Sequence, residues 1–350
     1  MFEVTMDGGR LAMRIGILTG GGDCPGLNPA IRGAVFRALD FGDECVGIVE
    51  GWKGLLLRET EPLTLERVDE IIDRGGTILG TSRTNPFKSP ELVQQAIENV
   101  GALKLDAIIA IGGDDTLGVA AKLAALGVNV VGVPKTMDND VSGTDFTFGF
   151  DSAVSVALDA SRRLKDTAQS HRRVLILEVM GRHAGWVALY TGIGSGADFT
   201  LIPEVPIDWD AMVRQVMTAY KRKKYAFVVV SEGVEVTKIT TEELDDFGHM
   251  LLQDRGVGPE IARILEEKTG ISTRSATIGH IQRGGSPTLF DRILGSRVGV
   301  KSVEMIHNRE FGRMAALRGT EIVSIPLAEA VNNLKTVPQE WVDLLKVFSK

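Results

Sequence analysis

The 350-residue chain predicts a parallel-sheet α/β protein of two lobes, and three observations carry that expectation. Short β-branched apolar runs alternate with helix-period segments, the order of a chain that returns over a sheet through helices. Those runs are apolar at successive positions rather than alternate ones, as strands covered on both faces require. The alternation restarts after about residue 150, and a chain of this length divides naturally into two domains of ordinary size.

The strand-like runs, in order, are Arg14–Leu18, Cys45–Val49, Ala107–Ile111, Val128–Val133, Val174–Val179 and Ala226–Val230. The first helix is expected over Pro29–Leu39, with Ile31, Val35, Ala38 and Leu39 on one side. Asn28 suits its cap, and Pro29 its first helical position. Three strand ends run straight into turns: Gly20-Gly21-Gly22-Asp23, Gly112-Gly113-Asp114-Asp115 and Pro134-Lys135-Thr136. In open α/β sheets, ligands bind beyond the carboxyl ends of strands, where these turns belong.

Composition narrows the class. Hydrophobic residues at 44% and charged residues at 24% describe an ordinary soluble globular chain. A net charge of −7 argues against nucleic-acid or anionic-membrane partners, though a local basic cluster still binds an anionic substrate. Cys24 and Cys45 form neither a disulfide framework nor a metal-type spacing, which fits a cytoplasmic protein. No apolar stretch approaches membrane-helix length, and the first residues lack a signal peptide's apolar centre.

Five motifs invite chemistry. Glycines in Gly20-Gly21-Gly22-Asp23-Cys24-Pro25-Gly26-Leu27-Asn28 let backbone N–H groups approach a phosphate before a helix whose positive end points at it; a plain strand-to-helix turn reads equally well. Asp114 and Asp115, in Gly112-Gly113-Asp114-Asp115-Thr116, suit a phosphate-bound divalent cation held by one or two carboxylates, or simply favour a helix dipole. Such a turn also serves kinases of NAD and of lipids. In Pro134-Lys135-Thr136-Met137-Asp138-Asn139-Asp140, Asp138 or Asp140 offers the carboxylate that a hydroxyl acceptor needs to lose its proton; a capping turn is the bland alternative. Met180-Gly181-Arg182, and Arg274 with Gly279-His280-Ile281-Gln282-Arg283-Gly284-Gly285, bring arginine forks that bind phosphate oxygens and stabilise a transferring phosphoryl group. A lone arginine is more often a solvated surface residue.

Taken in this order, these motifs resemble the 6-phosphofructokinases over roughly residues 14–345. The resemblance implies two Rossmann-like lobes with the active site in the cleft between them. It assigns 1–149 plus about 282–330 to a donor-binding lobe, and 150–281 plus about 331–350 to a sugar-phosphate lobe. Asp138 resembles the base that deprotonates the sugar 1-hydroxyl, with Arg182 also stabilising the transferring group. Thr136, Met137, Met180, Gly181, Glu232, His280, Ile281, Gln282 and Arg283 resemble the sugar-phosphate segment. Arg173 and Arg274 fall where the family supplies arginines from a neighbouring subunit, implying a homodimer or homotetramer with shared sites. Gly22 and Arg83 resemble donor-phosphate contacts, and Asp114 the carboxylate linked to Mg2+.

Two positions bear on the donor. Many ATP-dependent members have glycine where this chain has Asp115 and Lys135. A carboxylate at Asp115 fills and repels the α-phosphate region, while a lysine adds a charge contact for a donor lacking adenosine. The pair resembles the pyrophosphate-dependent branch, so fructose 6-phosphate and pyrophosphate are the expected partners. An ATP-dependent enzyme and a silent sugar-phosphate sensor are the alternatives; the sensor should have lost Asp138, Arg182 or Asp114, and all three are present. Of two arginines that build an effector pocket in allosteric relatives, Arg32 matches the first, and Phe36 occupies the place of the second.

Overall fold

The computed structural model describes residues 12–236, 247 and 256–348. Twelve strands lie among them: β1 Arg14–Thr19, β2 Glu44–Ile48, β3 Thr60–Pro62, β4 Ala107–Gly112, β5 Val130–Thr136, β6 Phe148–Gly149, β7 Val174–Val179, β8 Phe199–Leu201, β9 Ala226–Ser231, β10 Thr273–Thr277, β11 Arg313–Arg318 and β12 Glu321–Pro326. They form two sheets. The first runs β12-β11-β5-β4-β1-β2-β3 with β6 on β5, and the second runs β10-β7-β9-β8.

In the first sheet β2, β1, β4, β5 and β11 are mutually parallel, whereas the edges β3 and β12 run antiparallel. In the second, all pairings are parallel. All six residues of β4 are buried, as are all six of β7 and of β9, because helices cover both faces of each sheet. The α/β class with two Rossmann-like lobes is therefore the observed architecture.

The strand orders locate the chemistry. From β1 the chain moves outward to β2, then returns to place β4 on the other side of β1. From β7 it likewise moves to β8 and β9 before β10 joins the opposite edge of β7. At such a reversal, neighbouring loops leave in opposite directions and open a crevice at the carboxyl ends of the strands. One crevice thus lies beyond β1 and β4, and the other beyond β7 and β10.

Helix Leu289–His307 crosses back to pack along helix Leu27–Phe41. Their backbones meet: a Cβ on Gly299 would stand 2.2 Å from the Ala30 carbonyl oxygen. The last helix, Gln339–Phe348, returns to the second lobe, where Val342 and Leu345 share a core with Trp186 and Leu189.

Two local expectations change. Strand β5 runs on through Thr136 instead of ending at Val133, so Lys135 is a strand residue and is buried; pairing of Lys135 with Phe148 in β6 sustains it. The first helix begins at Leu27 behind Gly26, and Asn28 is not its cap. The Asn28 amide instead donates to the Arg74 and Gly75 carbonyls and accepts from Ile78 N–H, tying down the loop before Arg83.

Candidate active site

The two crevices face each other across a cleft of about 760 Å3. On the first-lobe wall, Gly20 N–H donates to the Ile111 carbonyl at 2.9 Å and Gly21 N–H to the Ser82 carbonyl at 3.1 Å. The turn lies flat at Gly22, where a Cβ would come within 2.7 Å of an Arg283 guanidinium nitrogen. Arg283 donates to the Asp23 carbonyl at 3.1 Å, and Lys135 Nζ donates to the Gly22 carbonyl. Two cations from separate strand ends therefore converge on one glycine turn. Burial lowers the pKa of Lys135, and Arg283 lowers it further, against the pull of Asp23 and Asp138. Cys24, in the same turn, is buried and its thiol is pushed up to about 12, which leaves it no thiolate to react with.

The turn after β5 carries the acids. Asp138 N–H donates to Thr136 Oγ1 at 3.0 Å, and Thr147 Oγ1 donates to the Thr136 carbonyl at 2.7 Å. Asp138 Oδ1 is buried and has no hydrogen-bond partner among the described residues. Burial raises the Asp138 pKa; Arg283, Arg182 and Lys135 pull it back, and Asp114 adds to the rise. Burial pushes Asp140 up to about 7, reinforced by Asp138 and Asp114. Glu232 rises to about 6, again chiefly by burial and then by Asp138. Burial and the Asp138 carboxylate thus disfavour ionisation of both Asp140 and Glu232, which is how a buried site holds a carboxyl poised near neutral pH.

Of the expected donor set, Gly22, Arg83, Asp115 and Lys135 line the cleft, together with Asp114. Thr136, Met137 and Asp138 line it beside them, and Met180, Arg182 and Glu232 supply the second-lobe wall with His280 and Arg283. Five expected residues do not line it. Gln282 is fully buried; its amide accepts from Met180 N–H at 2.8 Å and donates to the Ala153 carbonyl at 3.2 Å. It positions the wall and, being fully buried, does not face the cleft. Gly181 contributes shape: its N–H donates to Glu232 Oε1 at 3.3 Å, and its carbonyl accepts from Ser231 Oγ at 2.6 Å. Ile281 points outward, 69% exposed. Arg173 and Arg274 sit at the amino ends of β7 and β10, and Arg274 pairs with Glu266 at 3.0 Å. The six residues of β7 at ~3.3 Å per residue put Arg173 about 20 Å from the carboxyl end of its strand, and Arg274, the second residue of β10, is likewise absent from the cleft lining.

Sequence reasoning assigned no site role to several lining residues: Asp23, Thr81, Asp140 and His183, and the turn residues Gly21, Gly113 and Thr116. Most lie inside motifs already singled out, and Asp140 had been weighed as a base. Thr81 has no such signal; only its place in Gly80-Thr81-Ser82-Arg83 beside Arg83 pointed to it. Arg32, the one matching effector-pocket arginine, stacks on Phe36 at 4.0 Å and donates to the Asp69 carbonyl at 3.2 Å.

Among the described residues, no group of three or more His, Cys, Asp or Glu stands ready to hold a metal. Asp114 and the unpaired Asp138 oxygen still suit a hard cation that takes one or two protein carboxylates and completes its shell with phosphate oxygens and water. Among the described residues, no helix is long and apolar enough to cross a membrane.

Glycine turns on one wall, arginines on the other and buried carboxyls between them suit the chemistry of a phosphotransferase. Residues 14–306 match the family model of phosphofructokinase, and the chain belongs to that family. It is 49% identical to a pyrophosphate–fructose 6-phosphate 1-phosphotransferase of Dictyoglomus thermophilum, over 96% of this chain and 98% of that one. It is 48% identical to an ATP-dependent 6-phosphofructokinase 2 of Streptomyces coelicolor, over 95% of this chain and 98% of that one. Among solved structures, the T-state phosphofructokinase of Pichia pastoris superposes with a TM-score of 0.81 at 28% identity, covering 99% of this chain and 38% of that one. A pyrophosphate-dependent phosphofructokinase of Marinobacter aquaeolei gives 0.80 at 25% identity, covering 96% and 91%.

Proposed function

We propose that this protein transfers a phosphoryl group from pyrophosphate to the 1-hydroxyl of fructose 6-phosphate, giving fructose 1,6-bisphosphate and phosphate. The observation that carries the donor is the pair Asp115 and Lys135 on the donor wall of the cleft. Relatives named for either donor match at 48–49% identity, so donor choice rests on a few positions rather than on the chain as a whole. Lys135, buried against the Gly22 carbonyl, is a fixed cation close to where a small, highly charged donor would lie. Asp115 puts negative charge where a nucleotide's α-phosphate would follow.

In this reading residues 1–149 and about 282–330 bind the donor, and 150–281 with about 331–350 bind the sugar phosphate. Asp138 takes the 1-hydroxyl proton as that oxygen bonds to phosphorus, and the bond to the bridging oxygen of pyrophosphate breaks to release phosphate. Lys135, Arg182 and Arg283 offset the negative charge of the transferring group. Asp114 would hold Mg2+, which would supply charge neutralisation on the donor. Thr136, Met180, Glu232 and His280 orient the sugar. Arg173 and Arg274 serve the cleft of a second copy, in a homodimer or homotetramer working in the cytoplasm. In this reading the transfer with pyrophosphate lies close enough to equilibrium to run in either direction.

The test is a donor comparison on purified protein with fructose 6-phosphate and Mg2+. The expected result is a strong preference for pyrophosphate; equal turnover with ATP overturns the donor assignment.

A further inference from the structure

Asn139, between the two cleft acids Asp138 and Asp140, is almost wholly buried at 1% exposure, yet its φ is 52°. Asn is the side-chain-bearing residue that takes this left-handed conformation most readily, and here its side chain is tied down. The Asn139 Oδ1 accepts from two donors, Thr147 N–H at 3.2 Å and Lys335 Nζ at 3.2 Å.

Lys335 comes from the far end of the chain. Its ammonium also donates to the Thr144 carbonyl at 3.0 Å and the Asp145 carbonyl at 2.6 Å, so three acceptors, all from residues 139–145, match its three N–H bonds. Its own N–H donates to the Asp140 carbonyl at 2.8 Å, and the neighbouring Leu334 bridges to Val141. On the other side, Trp186 Nε1 donates to the Lys335 carbonyl at 2.9 Å, and Val337 N–H donates to Glu204 Oε1 at 2.9 Å. The Nζ lies 5.4 Å from the Trp186 ring centre and 5.9 Å from that of Phe146, within reach of their π faces. Nothing in Asn332-Asn333-Leu334-Lys335-Thr336 announces such a role, and Lys335 is not among the residues that line the cleft.

We propose that Lys335 is a positioning residue for the reaction: from the seam between the lobes it holds Asn139 in the conformation that presents Asp138 to the cleft. This rests on Asp138 being the base. Lys335 touches no substrate, so its loss should misplace the base while leaving substrate binding intact.

The experiment compares Lys335→Met, Asn139→Ala and the double variant with Asp138→Asn, using kcat, KM for both substrates and Tm. Lys335→Met should lower kcat ~10-fold or more with both KM values within about twofold, the pattern of an interaction lost in the transition state alone. Asn139→Ala should show the same split, and the double variant should be no worse than the poorer single, because one linkage is removed either way. A folded Lys335→Met with undiminished kcat overturns the inference, as does a loss that tracks Tm while KM rises. If Lys335→Met does not fold, Asn139→Ala decides alone by the same criteria. Asp138→Asn should lose ~100-fold or more in kcat. Near-full activity there removes the base assignment and this inference with it. A crippled Asp138→Asn beside a normal Lys335→Met removes this inference alone.

Discussion

Asp138 illustrates how a single carboxyl is tuned by opposing forces. Its burial disfavours the charge, while Arg283, Arg182 and Lys135 favour it. A base has to be ionised to accept a proton, so the surrounding cations are part of the base as much as they are part of the phosphate site. Asp115 is the residue at which the donor reading is most exposed to test. If it excludes ATP by volume and charge, Asp115→Gly should raise the ratio of kcat/KM for ATP to that for pyrophosphate by ~10-fold or more, equivalent to ~1.4 kcal/mol of transition-state discrimination. Lys135 remains in that variant, so absolute ATP turnover should stay modest. An unchanged ratio in folded protein would leave Asp115 as an acidic residue at the start of helix Asp114–Ala125.

At the scale of elements, the site depends on how two turns are held. The β7 turn ends at Met180, whose N–H has a single side-chain acceptor, the buried Gln282 amide carried by the turn after β10. Gln282→Leu keeps the volume roughly but strands the Met180 N–H, a buried polar group that costs ~1–3 kcal/mol when unpaired; the Ala153 carbonyl, inside helix Phe150–His171, keeps its helical partner. The expected outcome is a fall of ~1–3 kcal/mol in unfolding free energy by denaturant titration, with a raised KM for fructose 6-phosphate as the Met180–Arg182 wall shifts. A variant as stable as the parent would show that water takes over the Met180 N–H. The five-residue β10 and the turn behind it therefore act as one unit with β7, which explains why Gln282 sits between two arginine- and histidine-bearing positions without facing the cleft.

For the whole molecule, the placement of Arg173 and Arg274 is the main consequence of the second sheet's topology. Arg173 precedes β7 and Arg274 is the second residue of β10, while the cleft lies at the carboxyl ends, which is why the proposed function has each serve a second copy. In the proposed assembly each composite site takes its base from one chain and these arginines from another. Mixing an Asp138→Asn chain with an Arg274→Ala chain should then restore part of the activity that each lacks, because one class of composite site has both groups. The measurement is specific activity of a hybrid whose mixed composition has been verified. No recovery would mean that each chain completes its own site. The C-terminal segment acts at the same scale: it leaves the first lobe, engages the turn after β5 through Lys335, and ends on the second lobe through Val337 and helix Gln339–Phe348.

Much of this was legible in the residues because the chemistry is local. Glycines that admit a phosphate, adjacent acids and an arginine beside glycine each declare themselves within a few positions, and parallel strands buried on both faces read as unbroken apolar runs. Strands β3, β6, β8, β10, β11 and β12 escaped notice because runs of two to six residues that are polar, lie at an edge or are bounded by charges carry little apolar signal. What tertiary structure alone decided is which groups face the cleft. Gln282 turned inward because the Met180 N–H needed a partner there, and Asn28 left its helix cap to bind the loop at Arg74–Ile78. Lys335 reached a turn that lies almost two hundred positions away in the chain. Contacts of that kind arise from the requirement that every buried polar group find a partner, and that requirement is met in space, where sequence spacing has no say.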